Sequence, residues 1–398
     1  MRQWHHLLGL TLLICALPGC STGAGAAAQA QPAARTIPAQ PARQDGNIAL
    51  LANKLRGANR AGVSIVQFGD SHTAADLFSG ELRRLLQQRY GDGGIGLIPA
   101  SSVPGIRNDR VIVASARQQW ELVSARNQQS SQFPLGGYLS RPVLANASVT
   151  LQARDPDTQR YRISALYQAA GNSTLVANGN QRRMLPASNG QWRFSPAFTN
   201  LSLPVRLGVE DSQGVILGGW YIQGQKNAGV TYSSLGINGA RLEVVNKWQP
   251  GWQESLKTLR PDLVILAYGT NEAFDDTLDL SLYQSQLDAA LSGLRQALPR
   301  AAILLIGPPD SIKHRKARTC TARQPQPLAS VIRIQRQAAQ KHKALFWDWQ
   351  AYMGGPCSIA AWQASGLARP DLVHLTAEGY RKSAAGLYQF LKGPLQLR

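Results

Sequence analysis

Residues 63–86 read VSIVQFGDSHTAADLFSGELRRLL, and the change of pattern inside this stretch decides the fold. Val63, Ile65, Val66 and Phe68 make a short apolar run of strand length. Phe78, Leu82, Leu85 and Leu86 then recur at the spacing of one helix face. Between them stands Gly69-Asp70-Ser71-His72, so the pattern predicts a serine on a strand-to-helix turn, with the amphipathic helix beginning straight after the tetrad. In that place the positive end of a helix dipole lies beneath any oxyanion formed at Ser71.

A second tetrad lies almost three hundred residues away. Asp371-Leu372-Val373-His374 just precedes a closing helix whose buried stripe is marked by Tyr380, Ala384, Leu387 and Leu391. A serine hydroxyl is almost fully protonated at neutral pH and needs a base to become nucleophilic. His374 is the natural base, and Asp371 can reach its far ring nitrogen and fix the tautomer. His72 adjoins the nucleophile, but neighbouring side chains on a sharp turn point apart. It is expected to line or brace the site, with Asp70 as a scaffold residue hydrogen-bonded to the turn.

Outward from these tetrads, strands and helices alternate. Residues 46–100 read as helix, strand, helix and loop, and the pattern resumes after about 235. Apolar runs at 262–268, 302–306 and 344–347 alternate with helical patterns that include Leu287, Leu291, Leu294 and Leu298, and residues 331–341. Continuous apolar strands separated by helices indicate a parallel sheet covered on both faces. Chemistry in such sheets lies beyond the carboxyl ends of the strands, where Ser71 and Asn271 both fall. Residues 105–228 differ: short strand-like runs separated by Gly, Asn, Pro and Asp predict an antiparallel sandwich inserted into the α/β domain. Its aromatics, Trp120, Tyr138, Tyr161, Tyr167, Trp192, Trp220 and Tyr221, are either platforms for sugar rings or, for the most part, core.

Two further motifs complete the chemistry. Gly269-Thr270-Asn271-Glu272 follows a strand and offers an uncharged amide donor, Asn271, to a developing oxyanion. Leu235-Gly236-Ile237-Asn238-Gly239 offers the Gly236 N–H to the same place. Each alone is an ordinary turn, but Ser71, Gly236, Asn271 and His374 in this order resemble the SGNH/GDSL hydrolase superfamily. His72 stands where that family's common form has leucine. Gly-Asp-Ser-His with a sandwich between the first two blocks looks most like the periplasmic peptidoglycan O-acetylesterases of Gram-negative bacteria. The resemblance implies a flavodoxin-like three-layer α/β hydrolase in two pieces, 46–104 and 229–398, interrupted by a carbohydrate-binding-module-like β-sandwich at 105–228. It also implies a catalytic set of Ser71, Asp371 and His374, and an oxyanion hole of Ser71, Gly236 and Asn271.

The amino terminus predicts export. Arg2 precedes a short apolar run, Leu7 to Ala16, too brief to span a bilayer. Leu17-Pro18-Gly19-Cys20 resembles a lipoprotein box that would lipidate Cys20. Cleavage after Ala28-Gln29-Ala30 is the other route. Residues 1–20 are thus read as a signal peptide and 21–45, rich in Ala, Gln, Pro and Gly, as a tether. With Cys15 in the leader and Cys20 as the lipid site, Cys320 and Cys357 remain, an even pair suited to a disulfide outside the cytosol. Four scattered histidines beyond the leader and no Cys-x-x-Cys pair argue against zinc, and no metal or cofactor is expected. His314 and His342 lie in polar, basic surroundings and are expected at the surface.

Lys and Arg number 42 against 23 Asp and Glu. For an exported chain this points to envelope polyanions, not to nucleic acid. The basic run Lys313, Arg315, Lys316, Arg318 and Arg323 follows a strand, so it falls on the active-site side. It either attracts an anionic glycan or peptide, or forms a solvated loop fastened by the cysteines. The whole predicts a periplasmic serine esterase, lipid-anchored to a membrane where Cys20 is modified, that removes O-acetyl groups from a polysaccharide, peptidoglycan first among them. The same site would also suit an O-acetyltransferase, a lipase or a thioesterase, and a retired scaffold would leave a glycan-binding lipoprotein.

Overall fold

The computed structural model describes residues 45–397. The leader, Cys20 and the tether up to residue 44 lie outside them. The strand Val63–Gly69 runs through the middle of six parallel strands. Their spatial order is Asp92–Ile98, Val230–Gly236, Val63–Gly69, Leu263–Ala267, Ala302–Ile306 and Leu345–Trp347. Burial on both faces explains why the central strands read as unbroken apolar runs.

Helices cover the two faces. Gly46–Arg56, Phe78–Tyr90 and Ala377–Lys392 bury Leu51, Phe78, Leu82 and Leu387 on one side. Leu280–Ala297 and Leu328–Lys341 bury Leu287, Leu291 and Val331 on the other. Side-chain caps fix where three of these helices begin, and Asp45 accepts the Asn47 N–H at the start of the first. Asp279 accepts from the N–H groups of Ser281 and Leu282, and Thr376 accepts from the Gly379 N–H.

The sandwich is present, but one of its sheets is a continuation of the parallel sheet. Val215–Gly224 pairs antiparallel with Asp92–Ile98, and Tyr161–Ala169 pairs antiparallel with Val215–Gly224. A separate five-stranded antiparallel sheet faces this half, in the order Val111–Ser115, Ser148–Ala153, Val205–Val209, Ser173–Ala177, Gln181–Leu185. Val149, Leu151, Tyr161, Ile163, Leu207 and Trp220 fill the space between them. All seven aromatics noted in this region are buried, so none of them is a sugar platform.

The sequence reading missed two strands. Residues 92–98 read as loop, yet they form the seam between the parallel and antiparallel halves. Glycine concealed the strand. A Cβ on Gly96, where φ is +89°, would meet the Tyr232 carbonyl oxygen and the Ser233 nitrogen at 2.6 Å, so close packing demands glycine where strand propensity disfavours it. Val230–Gly236 was missed because Thr231, Ser233 and Ser234 interrupt its apolar pattern. A third correction concerns the start of the amphipathic helix. A single turn, Ser71–Ala74, follows the strand Val63–Gly69, and the long helix begins only at Phe78.

Candidate active site

Ser71 opens the single turn at the carboxyl end of its strand. Asp70 caps that turn: its Oδ1 accepts the His72 N–H at 2.9 Å. Burial raises the Asp70 carboxyl to a pKa of about 6, against the opposing pull of the His72 N–H and the Thr270 hydroxyl. Gln67, fully buried in its strand, donates to Thr73 Oγ1 at 2.8 Å and accepts from the Tyr232 hydroxyl. Beyond the turn Asp76 and Arg83, each 1% exposed, form a buried ion pair at 2.5 Å. Asp76 also accepts the Asp109 N–H, and the Arg107 N–H donates to the Ala74 carbonyl. The Ser71 turn is therefore held from both sides, partly by the first residues of the inserted region.

The two distant tetrads meet. Ser71 Oγ lies 3.0 Å from His374 Nε2, and His374 Nδ1 lies 2.9 Å from Asp371 Oδ2. The Asp-x-x-His spacing has a local explanation. Asp371 Oδ1 accepts the N–H groups of Val373 and His374, both at 2.9 Å, which folds the tetrad into a turn and aims Oδ2 at the ring. Leu372 takes a left-handed φ of +60° inside that turn, a conformation costing about 1–2 kcal/mol for a residue with a Cβ. The Ile312 N–H donating to the Leu372 carbonyl helps to hold it. Partial burial works to raise the Asp371 pKa, but the His374 and Val373 N–H bonds and the His374 ring outweigh it and leave the carboxyl below its ordinary value. An acceptor charge thus stands ready for an imidazolium formed at His374.

His72 turns the other way. Its ring is 2% exposed, bonds the Tyr380 hydroxyl through Nδ1 at 2.9 Å, and packs edge-on to Trp349. Its centroid lies 5.4 Å from that of His374. Burial, with the neighbouring His374 adding to it, drives the His72 pKa down to about 3. It therefore stands behind the His374 ring as a neutral group. Tyr380 was read only as a stripe residue of the last helix; the bond to His72 was not legible from spacing.

Gly236 closes the strand alongside Gly69, to which it is paired in register. The ladder bond at this rung comes from the Ile237 N–H, which donates to the Gly69 carbonyl at 3.0 Å. Alternate N–H groups of a strand point to opposite sides, so the Gly236 N–H is not spent on the ladder to the strand Val63–Gly69. A Cβ at Gly236 would meet the Ala74 nitrogen at 2.2 Å, and only glycine lets the Ser71 turn sit this close. Asn271 lies on the one-turn helix Thr270–Ala273, directly after the next strand. One of its amide N–H groups donates to the Ala240 carbonyl at 2.9 Å, which fixes the plane of the amide and leaves a second N–H. Glu272, unassigned in the sequence reading, accepts the Leu242 N–H at 2.7 Å. Burial raises its pKa to about 7. It ties the segment that follows Gly236 to the segment that carries Asn271.

The basic loop packs against this site. Arg315 donates to the Asp371 carbonyl at 2.8 Å, and Lys313 bonds the Phe274 carbonyl and Asp276. His314, Lys316 and Arg318 are exposed. A disulfide joins Cys320 to Cys357 across the loop. His342 departs from its expected surface place: its side chain is 11% exposed and bonds Asp288 at 2.8 Å. Among the described residues no group of three or more His, Cys, Asp or Glu side chains is arranged to hold a metal ion.

Comparison with known proteins locates this arrangement. Residues 93–206 match the family described as peptidoglycan O-acetylesterase, N-terminal, and residues 211–382 match the GDSL-like lipase/acylhydrolase family. Ser71 precedes both stretches, so its place in the site rests on the geometry. No curated protein matches the chain in sequence. A solved peptidoglycan O-acetylesterase is 32% identical, with a TM-score of 0.80, covering 89% of this chain and 98% of its own. An acetyl xylan esterase (17% identity, TM-score 0.33, 40% of this chain and 81% of its own) also matches in part. So does an acetylxylan esterase from Geobacillus stearothermophilus (18%, 0.32, 42% and 74%), and nothing further rests on either. With a relative of that identity matched over nearly its whole length, the chain belongs to the peptidoglycan O-acetylesterases, carboxylic ester hydrolases built on the GDSL/SGNH fold.

Proposed function

We propose that this hydrolase is an exported serine esterase that removes O-acetyl groups from the glycan strands of peptidoglycan through an acetyl-serine intermediate. Ser71 Oγ attacks the acetyl carbonyl carbon while His374 Nε2 takes the hydroxyl proton. The carbonyl π electrons move to oxygen, and the resulting oxyanion is held by the N–H groups of Ser71 and Gly236 and by the Asn271 amide. Collapse expels the sugar oxygen, which His374 protonates, leaving acetyl-Ser71. Water then attacks the acetyl carbon as His374 takes one of its protons, and collapse releases acetate and returns the proton to Ser71.

The observation that carries this reading is the relay from Ser71 Oγ to His374 Nε2 at 3.0 Å and from His374 Nδ1 to Asp371 Oδ2 at 2.9 Å. The leader pattern in residues 1–20 supports delivery to the periplasm, with Cys20 as a lipid anchor. The test compares the protein with Ser71→Ala on an aryl acetate and on O-acetylated cell wall. Loss of nearly all acetate release in the variant is expected, and equal release by the two proteins overturns the mechanism.

A further inference from the structure

The segment that follows Gly236 meets the segment that carries Asn271 at three successive residues. The Ala240 carbonyl accepts the Asn271 amide at 2.9 Å, Arg241 pairs with Asp275 at 2.9 Å, and the Leu242 N–H donates to Glu272 Oε1 at 2.7 Å. Their settings differ. The Arg241 and Asp275 side chains are 35% and 24% exposed, so solvent screens that pair. Glu272 is 2% exposed, and among the described residues its other oxygen, Oε2, is buried with no hydrogen-bond partner. A buried carboxyl with an unmet oxygen costs stability. Burial, reinforced by the Asp70 carboxyl, expresses that cost by raising the Glu272 pKa to about 7 against the pull of the Leu242 N–H. The Leu242 N–H has its own need. It opens the 3-10 turn Leu242–Lys247, and the preceding Arg241 makes no side-chain cap to it, so the turn's first donors require a partner from elsewhere.

Resting on the esterase reading above, we propose that Glu272 is a positioning residue: by capping Leu242 from across the fold it fixes the Asn271 amide against the Gly236 segment. The Gly236 side is the anchored one, because the Ile237 N–H is held by the Gly69 carbonyl in the sheet. The bond from Asn271 to Ala240 is by itself a hinge, about which the one-turn helix Thr270–Ala273 can pivot. The bond from Glu272 to Leu242 adds a second fixed point on the next residue of that helix, and two points stop the pivot. The second Asn271 N–H is then held in one direction before substrate arrives. Protonated on Oε2 or ionised, the carboxyl still presents Oε1 as an acceptor, so the cap survives on both sides of pH 7. An acceptor is the requirement, not a charge. Since the Asn271 donor serves charge that develops only in the transition state, loosening it lowers kcat and leaves substrate binding alone.

The experiment measures kcat and KM on an aryl acetate for Glu272→Ala, Glu272→Asp and Glu272→Gln, the first two also in combination with Asn271→Ala. Glu272→Ala, and Glu272→Asp with its carboxyl a methylene short, should each lower kcat by about tenfold or more, with KM within about twofold. Glu272→Gln keeps an oxygen for the Leu242 N–H and should retain most of kcat. Added to Asn271→Ala, the Ala and Asp substitutions should cost less than about threefold more, because the donor they position is already gone. Glu272→Asp keeps a carboxyl in the core and carries the test if Glu272→Ala does not fold. Losses that multiply in full with Asn271→Ala overturn the proposal, as does a Gln variant as slow as the Asp variant or a loss confined to KM. Turnover that survives Ser71→Ala removes the esterase reading itself, and that result is distinct from Ser71-dependent turnover indifferent to Glu272.

Discussion

Adjacent imidazoles carry opposite duties here. His374 meets the Ser71 hydroxyl, whereas His72, sealed beneath Trp349 and Tyr380, is held neutral with a pKa of about 3. Its folded pKa lies below the ordinary 6.5, so its contribution to stability is full above pH 6.5 and is lost as pH falls toward 3. Over that window the loss is on the order of 5 kcal/mol. Asp70 runs the other way: raised to about 6, it costs stability as pH rises from about 4 to 6. His72→Gln should therefore narrow the difference in urea midpoint between pH 7 and pH 4. A variant as acid-sensitive as the protein itself would mean that solvent reaches the ring. Asn271→Ala should lower kcat on an aryl acetate by about a hundredfold with the melting temperature little changed. The four candidate site residues, Ser71, Gly236, Asn271 and His374, could be picked out because each sits in a short local motif. The burial of His72 against Tyr380, 308 residues away, was not, because no local pattern encodes which side chains meet across the fold.

At the level of elements, the legible strands were those buried on both faces, since Ile303, Leu304 and their like leave no polar interruption. The seam strand escaped because its neighbours crowd it into glycine, and Val230–Gly236 because its hydroxyl groups serve neighbouring backbone: Thr231 donates to the Gly93 carbonyl, and Ser233 accepts the Leu97 N–H. The turn after Ser71 was misread for a related reason. Between the strand and Phe78, polar contacts that spacing does not reveal are made by Thr73, which accepts from the Gln67 amide, and by the buried Asp76–Arg83 pair. The basic loop offers a test of its own. Its disulfide closes a separation of 37 residues, and Arg315 within the loop touches the Asp371 carbonyl. Replacing both cysteines by serine should cost about 4 kcal/mol, seen as a lower urea midpoint, and should reduce kcat as the Asp371–His374 turn loosens. An unchanged midpoint would show that the loop is held by its hydrogen bonds alone.

Across the whole molecule, a formal net charge of +19 stands over a site whose own carboxylates are either buried or paired. Long-range attraction of a polyanion by such a field is screened by salt. Hydrolysis of O-acetylated cell wall should lose kcat/KM as ionic strength rises from about 10 to 300 mM, across which the Debye length shrinks from about 30 Å to below 10 Å. Turnover of a neutral aryl acetate should hardly change, and equal salt sensitivity of the two substrates would rule out steering by the protein's field. The alternation of strands and helices was readable at this scale, as was a β-rich insertion. That one sheet runs through both regions was not, because it depends on pairings made far apart along the chain. The same long reach has a consequence for biogenesis. Ser71 and His374 are separated by 303 positions, and the strand that presents the serine waits for partners that begin at Val230 and Leu263. A chain still emerging from the ribosome, or cut short before residue 374, carries Ser71 without His374, so on the proposed mechanism it stays silent until its synthesis is nearly finished.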